Sequence, residues 1–525
     1  MANTRFYKTY TIAVFMVAIV ILSNLSFRSP DTFAKNNIYE DLYHDQLKAF
    51  EIAEQELITL IKDQDLKSQS GLATIKNKIA DTRIKLKAID IWVRYLEPTA
   101  YLKLNGPLPV EWENEVFEKF EKPYRREGAG LMLAELYLLE KVPIKDSLVA
   151  LINSSLRSTA VYEADSITVN LKQYPHFYLC NRLFLLNLAA IYTTGFECPD
   201  KENIIPELEK MMSSVETIYS TFNKSFPGYQ VNKEYLELYQ HALMFIRKGS
   251  KDQLEFDHFT FINQYINPLY ALNQQMIREY HVVSNNFNDY TLKDNSLSIF
   301  NKDLYEGQNV RGIYLPVEDE ASLAEIKRVG KLLFYDPILS GNNKRSCASC
   351  HKSNEYFTDT SRQTSFQFDN QQTLPRNTPS LVNVIYNHLI MLDGKHISLL
   401  NQAKDVVTNS IEMGGVETDV VKKVMSCKDY EKAFKRFSKL TPNSPEVKID
   451  HIVSAVILYY SDFSKYYSPF DEAMNQQKAI NENSRKGFNV FMGKAKCGTC
   501  HFIPQFNGVK PPYISSEFEV LGVPI

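Results

Sequence analysis

Apolar positions recur at alternating spacings of three and four through Leu72, Ile75, Ile79, Leu86, Ile89, Val93 and Leu96, with Thr82 in line. One face of a 3.6-residue repeat produces that spacing, so a long amphipathic helix is predicted, packed by this stripe into a bundle. "LMLAELYLLE" (131–140), "SLVALINSSL" (147–156) and "RLFLLNLAAIY" (182–192) supply further apolar helix faces. "NGPLPVEW" (105–112) and "REGAG" (126–130) between them carry turn chemistry. Periodicity then fails in the Asn- and Asp-rich "VVSNNFNDYTLKDN" (282–295), which predicts a connection and a boundary near residue 300. Beyond it come shorter helical runs, "SLAEIKRVGKLLFY" (322–335) and "HIVSAVILYYSDFSKYY" (451–467), set among long irregular stretches.

At the other end, Arg5 and Lys8 precede the eleven apolar residues Ile12–Leu22. A basic flank, a short apolar run and a polar tail match an export signal over residues 1–30, with an uncleaved N-terminal anchor as the alternative. The expected compartment is the periplasm.

Composition changes this picture little. The 525 residues suggest two to four domains, and 44% hydrophobic with 23% charged residues is a soluble globular balance. A net charge of -3 points away from nucleic acid or an anionic membrane surface as partner. The seven cysteines matter more. In an oxidising compartment Cys180 and Cys198 form either a disulfide or two unrelated buried thiols, and Cys427 reads as a buried free thiol.

The other four cysteines lie in two copies of one pattern, "CASCH" (347–351) and "CGTCH" (497–501). Cys-x-x-Cys-His is the attachment site of c-type haem. Both thiols add to the haem vinyl groups, and the adjacent imidazole coordinates the iron. With this composition about two such matches per thousand chains arise by chance, so two in one chain are not accidental. Four cysteines could instead bind zinc, yet zinc does not account for a His after each second Cys. The expectation is an all-α protein with a helical N-terminal bundle (36–300) and two loop-rich cytochrome c-type haem domains (310–425 and 426–525). Cys347, Cys350, Cys497 and Cys500 would carry two covalent haems, with His351 and His501 as axial ligands.

The flanking residues go further. "GKLLFYDPILSGNNKRSCASCH" (330–351), "FTD" (357–359), "RNTPSLVNVIYN" (376–387), "LDGK" (392–395), "LLNQA" (399–403) and "IEMGG" (411–415) follow in order. Then come "FDEA" (470–473), "RKGFNVFMGKAKCGTCHFIPQFN" (485–507) and "PPYISSEFEVLGVP" (511–524). This series resembles the bacterial dihaem cytochrome c peroxidase family, MauG-like proteins included, over roughly residues 315–525. Residues 36–300 carry no comparable motif.

The resemblance implies that hydrogen peroxide is reduced at the first haem, whose proximal ligand is His351. The second haem, on His501, would take electrons from a small donor protein, a cytochrome c or a cupredoxin. Gln402 and Glu412 would line the peroxide pocket, Glu412 as general base then acid and Gln402 to position the peroxide. Arg376 and Asn377 would hold haem propionates or a calcium ion, with plain turn chemistry as the alternative. A homodimer is compatible with this reading. Two other functions stay open, a MauG-like oxidase acting on a protein substrate and a dihaem electron carrier in which Glu412 is structural.

Three positions depart from the family pattern. Residues 352–387 hold neither His nor Met, so the removable distal ligand is missing and a permanently five-coordinate first iron is expected. Leu392 and Lys395 stand where the family commonly has Trp and Arg. The distal ligand of the second iron, a Met or Tyr after the "VLGVP" motif in the family, is expected beyond Ile525. His388, His396 and individual members of the 31 tyrosines read as structural residues.

Overall fold

The computed structural model describes residues 32–107 and 128–514, apart from 290, 291, 294, 302, 303, 305, 306, 392, 393, 465 and 466. The export signal, residues 108–112 and 126–127 of the two turn stretches, Leu392 and the "VLGVP" motif lie outside the described residues. Helices dominate, and among the described residues extended backbone pairs only in isolated bridges. No helix among them is long and apolar enough to cross a membrane.

The first unit is built on α1 (Ile38–Asp63) and α2 (Gln69–Leu96), with α3 (Lys145–Thr159), α4 (Pro175–Ala190) and α5 (Lys201–Ser225) packed round them. Helix α2 starts where the Ser68 side chain accepts from the Gly71 amide, a standard N-cap. The expected stripe faces inward: Ile75, Ile79, Thr82, Leu86, Ile89 and Val93 are buried, and Leu72 and Leu96 pack at its two ends. The face beside this stripe is buried too, which the apolar period could not announce. Arg83 donates to Glu207 and pairs with Glu135, while Lys87, Asp90 and Arg94 join Glu197, Tyr101 and Tyr192. Such charges are tolerated inside because each is paired and hydrogen-bonded. Cys180 and Cys198 are separate buried thiols, the second donating to the Asp200 carbonyl at 3.3 Å. Cys427 is also unpaired, and it is half-buried rather than buried.

Helices α6 (Lys233–Lys248) and α7 (Asn267–Glu279) complete the unit, α7 being entered through a π-helical turn at Phe261–Ile266. The connection that follows stays tied to this unit as far as Ile299, whose amide donates to Asn267. From Gly307 the ties switch: its amide donates to the Ile385 carbonyl, and Gln308 donates to the Asn387 carbonyl.

The first pentapeptide is carried by a second packed group made of α8 (Glu320–Tyr335), α9 (Leu399–Thr408), α10 (Glu417–Ser426), α11 (Lys428–Phe437) and α12 (Ile449–Tyr460). Helix α12 lies along both α8 and α9. The reason is apolar: α12 is hydrophobic almost all round and needs cover from every side. Gly330 makes the α8–α12 approach close, for a Cβ there would stand 1.8 Å from the Ala455 carbonyl oxygen.

After Ser464 the chain returns to the N-terminal unit. Helix α13 (Pro469–Met474) ends on Asn263 and Asn267, whose side-chain amides donate to the Ala473 and Met474 carbonyls. Helix α14 (Glu482–Met492), capped by Asn481, is gripped through Asn489, which donates to Asp257 at 2.9 Å and accepts from the Phe259 amide at 2.8 Å. The second pentapeptide follows directly. Gly330→Ala is expected to cost about 1–3 kcal/mol through overpacking. The check is denaturant unfolding followed by a probe in residues 320–464.

Candidate active site

Both pentapeptides adopt the same local shape. Each begins with a single 3-10 turn, Cys347–Ser349 and Cys497–Thr499, in which the His amide donates back to the first Cys carbonyl at 2.9 Å and 2.8 Å. Each is followed by a one-residue antiparallel bridge, Lys352 with Thr358 and Phe502 with Asn507. The loop so closed turns a carbonyl towards the imidazole. His351 Nδ1 lies 2.9 Å from the Phe357 carbonyl and His501 Nδ1 lies 3.0 Å from the Phe506 carbonyl. Phe357 and Phe506 both have positive φ, near +57°, which aims these carbonyls inward. An Nδ1–H held by a carbonyl leaves the Nε2 lone pair free, which is what an iron ligand requires.

The donor set therefore fits two c-type haems. Within each motif the cysteines are half-buried and not joined in a disulfide. Burial pushes the Cys347 thiol up to about 12. The Cys350 thiol is raised as well, first by burial, with Ser365 and Arg345 opposing and Asp359 and Glu412 adding. For His351 burial lowers the pKa, against the pull of the Phe357 and Pro379 backbone, and so favours the neutral ring. His501 is exposed.

The "FTD" residues brace the first loop. Phe357 supplies the carbonyl, Thr358 the bridge, and Asp359 an ion pair with Lys352 at 2.6 Å. Burial alone would raise the Asp359 pKa, but hydrogen bonds from Lys352, Ser361 and Ser365 and the Lys352 charge bring it down to about 2. Arg376 and Asn377 lead into Thr378, whose hydroxyl meets Ser365 at 2.8 Å and whose carbonyl accepts from Thr358. They thus stand next to the residues that border His351. Among the described residues no three His, Cys, Asp or Glu side chains gather as a metal site.

Glu412 sits in the turn after α9, where its carboxylate accepts from Asn409 at 3.0 Å. It is half-buried, and its pKa is raised by burial first and then by the Asp405 charge, against the Asn409 hydrogen bond. Gln402 is half-buried on α9, three residues before Asp405 and so on the same face. Asp405 itself pairs with Lys395 at 2.7 Å and His396 at 3.1 Å. His388 is buried, its ring beside Gly307, in keeping with a structural role. A cavity of about 290 Å³ is lined by Asn383, Tyr386, Ser468, Asp471 and Phe506 among others.

Sequence reasoning missed Arg345. Its guanidinium donates to the Glu412 carbonyl at 2.9 Å, to the Gln367 carbonyl at 2.6 Å and to Asn370 at 3.0 Å. It pins the Glu412 turn to the loop that precedes Cys347. The one available signal was a lone Arg two residues before that cysteine.

A model of the family "Di-haem cytochrome c peroxidase" matches residues 324–479, a span that includes the first pentapeptide and Glu412 and ends before the second pentapeptide. The chain is 32% identical over 201 residues to the cytochrome c551 peroxidase of Nitrosomonas europaea, covering 38% of this chain and 56% of that one. It is 31% identical over 176 residues to the methylamine utilization protein MauG of Methylorubrum extorquens, covering 33% and 48%. Among solved structures, a MauG-like protein associated with microbial copper homeostasis is 26% identical, covers 35% of this chain and 54% of its own, and superposes with a TM-score of 0.32. The chain spans about half the length of the curated relatives it matches.

Thioether attachment at both motifs is checked on denatured, haem-loaded protein. Two haems per chain by mass and by pyridine haemochrome are expected, and one after Cys497→Ser with Cys500→Ser. Extraction of both haems into acid acetone is the contrary result.

Proposed function

Roughly the last 200 residues of this chain belong to the di-haem cytochrome c peroxidase and MauG family, with the N-terminal region unassigned, and on that premise we propose that the protein reduces hydrogen peroxide to water. A haem bound at the first motif supplies an iron that takes the peroxide and stores oxidising equivalents. Cys347 and Cys350 fix it covalently, and His351 presents Nε2 to it. Cys497, Cys500 and His501 would hold a second haem, which would supply a relay for electrons from a small exported donor, a cytochrome c or cupredoxin. The N-terminal export pattern supports a periplasmic location, and haem propionates or a calcium ion at Arg376 and Asn377 belong to the same reading.

One observation carries the catalytic assignment. The carboxyl of Glu412 is raised by burial, and it acts electrostatically on Cys350 of the first motif. Heterolysis of the O–O bond needs a proton moved from the inner oxygen to the outer one. A carboxyl tuned upward from the ordinary range is better matched to act first as acceptor and then as donor. Arg345 holds the Glu412 main chain and Asn409 its carboxylate, so the group is oriented before substrate arrives. Gln402, donor and acceptor at once, positions the peroxide.

Glu412→Gln keeps size and hydrogen bonding and removes the base. Haem loading should persist while peroxide-dependent oxidation of a reduced donor cytochrome falls by about 10² to 10⁴, roughly 3–5 kcal/mol of barrier. The base must start ionised, so parental turnover declines as pH falls through the raised Glu412 pKa, above the ordinary glutamate range. That acid limb should vanish in Glu412→Gln, and Gln402→Ala should cost less. Turnover at the parent rate with both haems in place would make Glu412 structural and favour an electron carrier.

A further inference from the structure

We propose that Tyr335 and Tyr459 form a surface oxidation site that takes oxidising equivalents from the first haem and delivers them to a phenol. This rests on the peroxidase reading of that haem. The path begins at Phe357, whose carbonyl holds His351 Nδ1. The Phe357 ring stacks on Phe463 with centroids 3.6 Å apart and planes 15° apart. Phe463 meets Tyr459 edge-on at 5.2 Å, and Phe334 packs against both rings, at 5.4 Å from Tyr459 and 6.2 Å from Phe463. The Tyr459 hydroxyl stands 3.5 Å from the Tyr335 hydroxyl, at the outer edge of a hydrogen bond. Tyr335 is 43% exposed, which brings the path to solvent.

Apolar packing explains the phenylalanines, but not why the path ends in two facing phenols, one half-buried and one open. Tyrosine is the oxidisable member of such a set, and its oxidation releases a proton that needs an acceptor. Burial and the adjacent Tyr335 hydroxyl hold the Tyr459 phenol well above its ordinary range, so it remains protonated until it is oxidised. The Tyr335 oxygen then offers the proton a way to water.

The electrons balance as follows. Tyr335 gives up one electron and one proton, an external phenol gives up another of each, and the two phenoxyl radicals join through a new carbon–carbon bond. The two electrons and two protons convert one hydrogen peroxide into two waters. With no second phenol radical, the Tyr335 radical is instead refilled by the donor protein.

The test uses the full-length, haem-loaded protein with hydrogen peroxide and L-tyrosinamide as the phenol probe. Expected are a tyrosyl radical signal by freeze-quench electron paramagnetic resonance and a dityrosine-type adduct at Tyr335 by peptide mass spectrometry. Tyr335→Phe should abolish the adduct, and Tyr459→Phe should abolish both adduct and signal, each retaining both haems and peroxide consumption. The phenyl rings preserve the packing in both variants. Peroxide consumption with the radical unchanged in the Tyr335→Phe, Tyr459→Phe double variant overturns the surface site and leaves the peroxidase reading standing. A haem-loaded parent that consumes no peroxide overturns that reading, and the surface site with it.

Discussion

Everything at the two motifs hangs on one hydrogen bond, the one in which an imidazole Nδ1–H is held by a carbonyl five or six residues further along. Without it the ring could rotate, and either tautomer could form. With it the ring is fixed and Nε2 is left as an acceptor. The bond requires a tight return of the chain, hence the positive φ at Phe357 and Phe506 and the bridge that closes each loop. It also requires that the loop not drift. The first loop is braced by the Lys352–Asp359 pair, and the second by packing of Phe502 edge-on against Phe196 of the N-terminal unit.

The second brace gives the N-terminal unit a structural purpose. Its residues Asp257, Asn263 and Asn267 meet backbone and side-chain groups of the segment that ends in Cys497. The carbonyls of Ala473 and Met474 accept from Asn263 and Asn267, and that of Met492 accepts from Gln253, across this contact, and a buried carbonyl left unpaired is costly. The N-terminal unit is thus part of the framework of the second motif, although it carries none of the motif's chemistry.

Much of this was legible in the sequence because the signals were local. The α2 stripe depends on a repeat within one segment, and Cys-x-x-Cys-His depends on five adjacent residues. What escaped was long-range. Arg83, Lys87 and Asp90 look like a solvated face, and only Glu135, Glu197 and Glu207, far along the chain, make their burial tolerable. Arg345 is an ordinary loop cation until Glu412 folds back onto it. Nothing near residue 425 reveals that α12 lies against α8.

The two motifs share a shape but differ in what surrounds them, and that difference bears on what each can do. His351 is half-buried, with a raised carboxyl at Glu412, two raised thiols and an aromatic path close by. Low dielectric strengthens the electrostatic effect of each of these groups and favours proton transfer over simple solvation. His501 is exposed, and a partner must approach a relay site to within a short distance to exchange electrons with it. A half-buried imidazole beside an ionisable carboxyl suits bond breaking, whereas an exposed imidazole on a rigid framework suits electron entry. One local fold can serve both because the tautomer is fixed by the loop itself, leaving the environment free to set the chemistry.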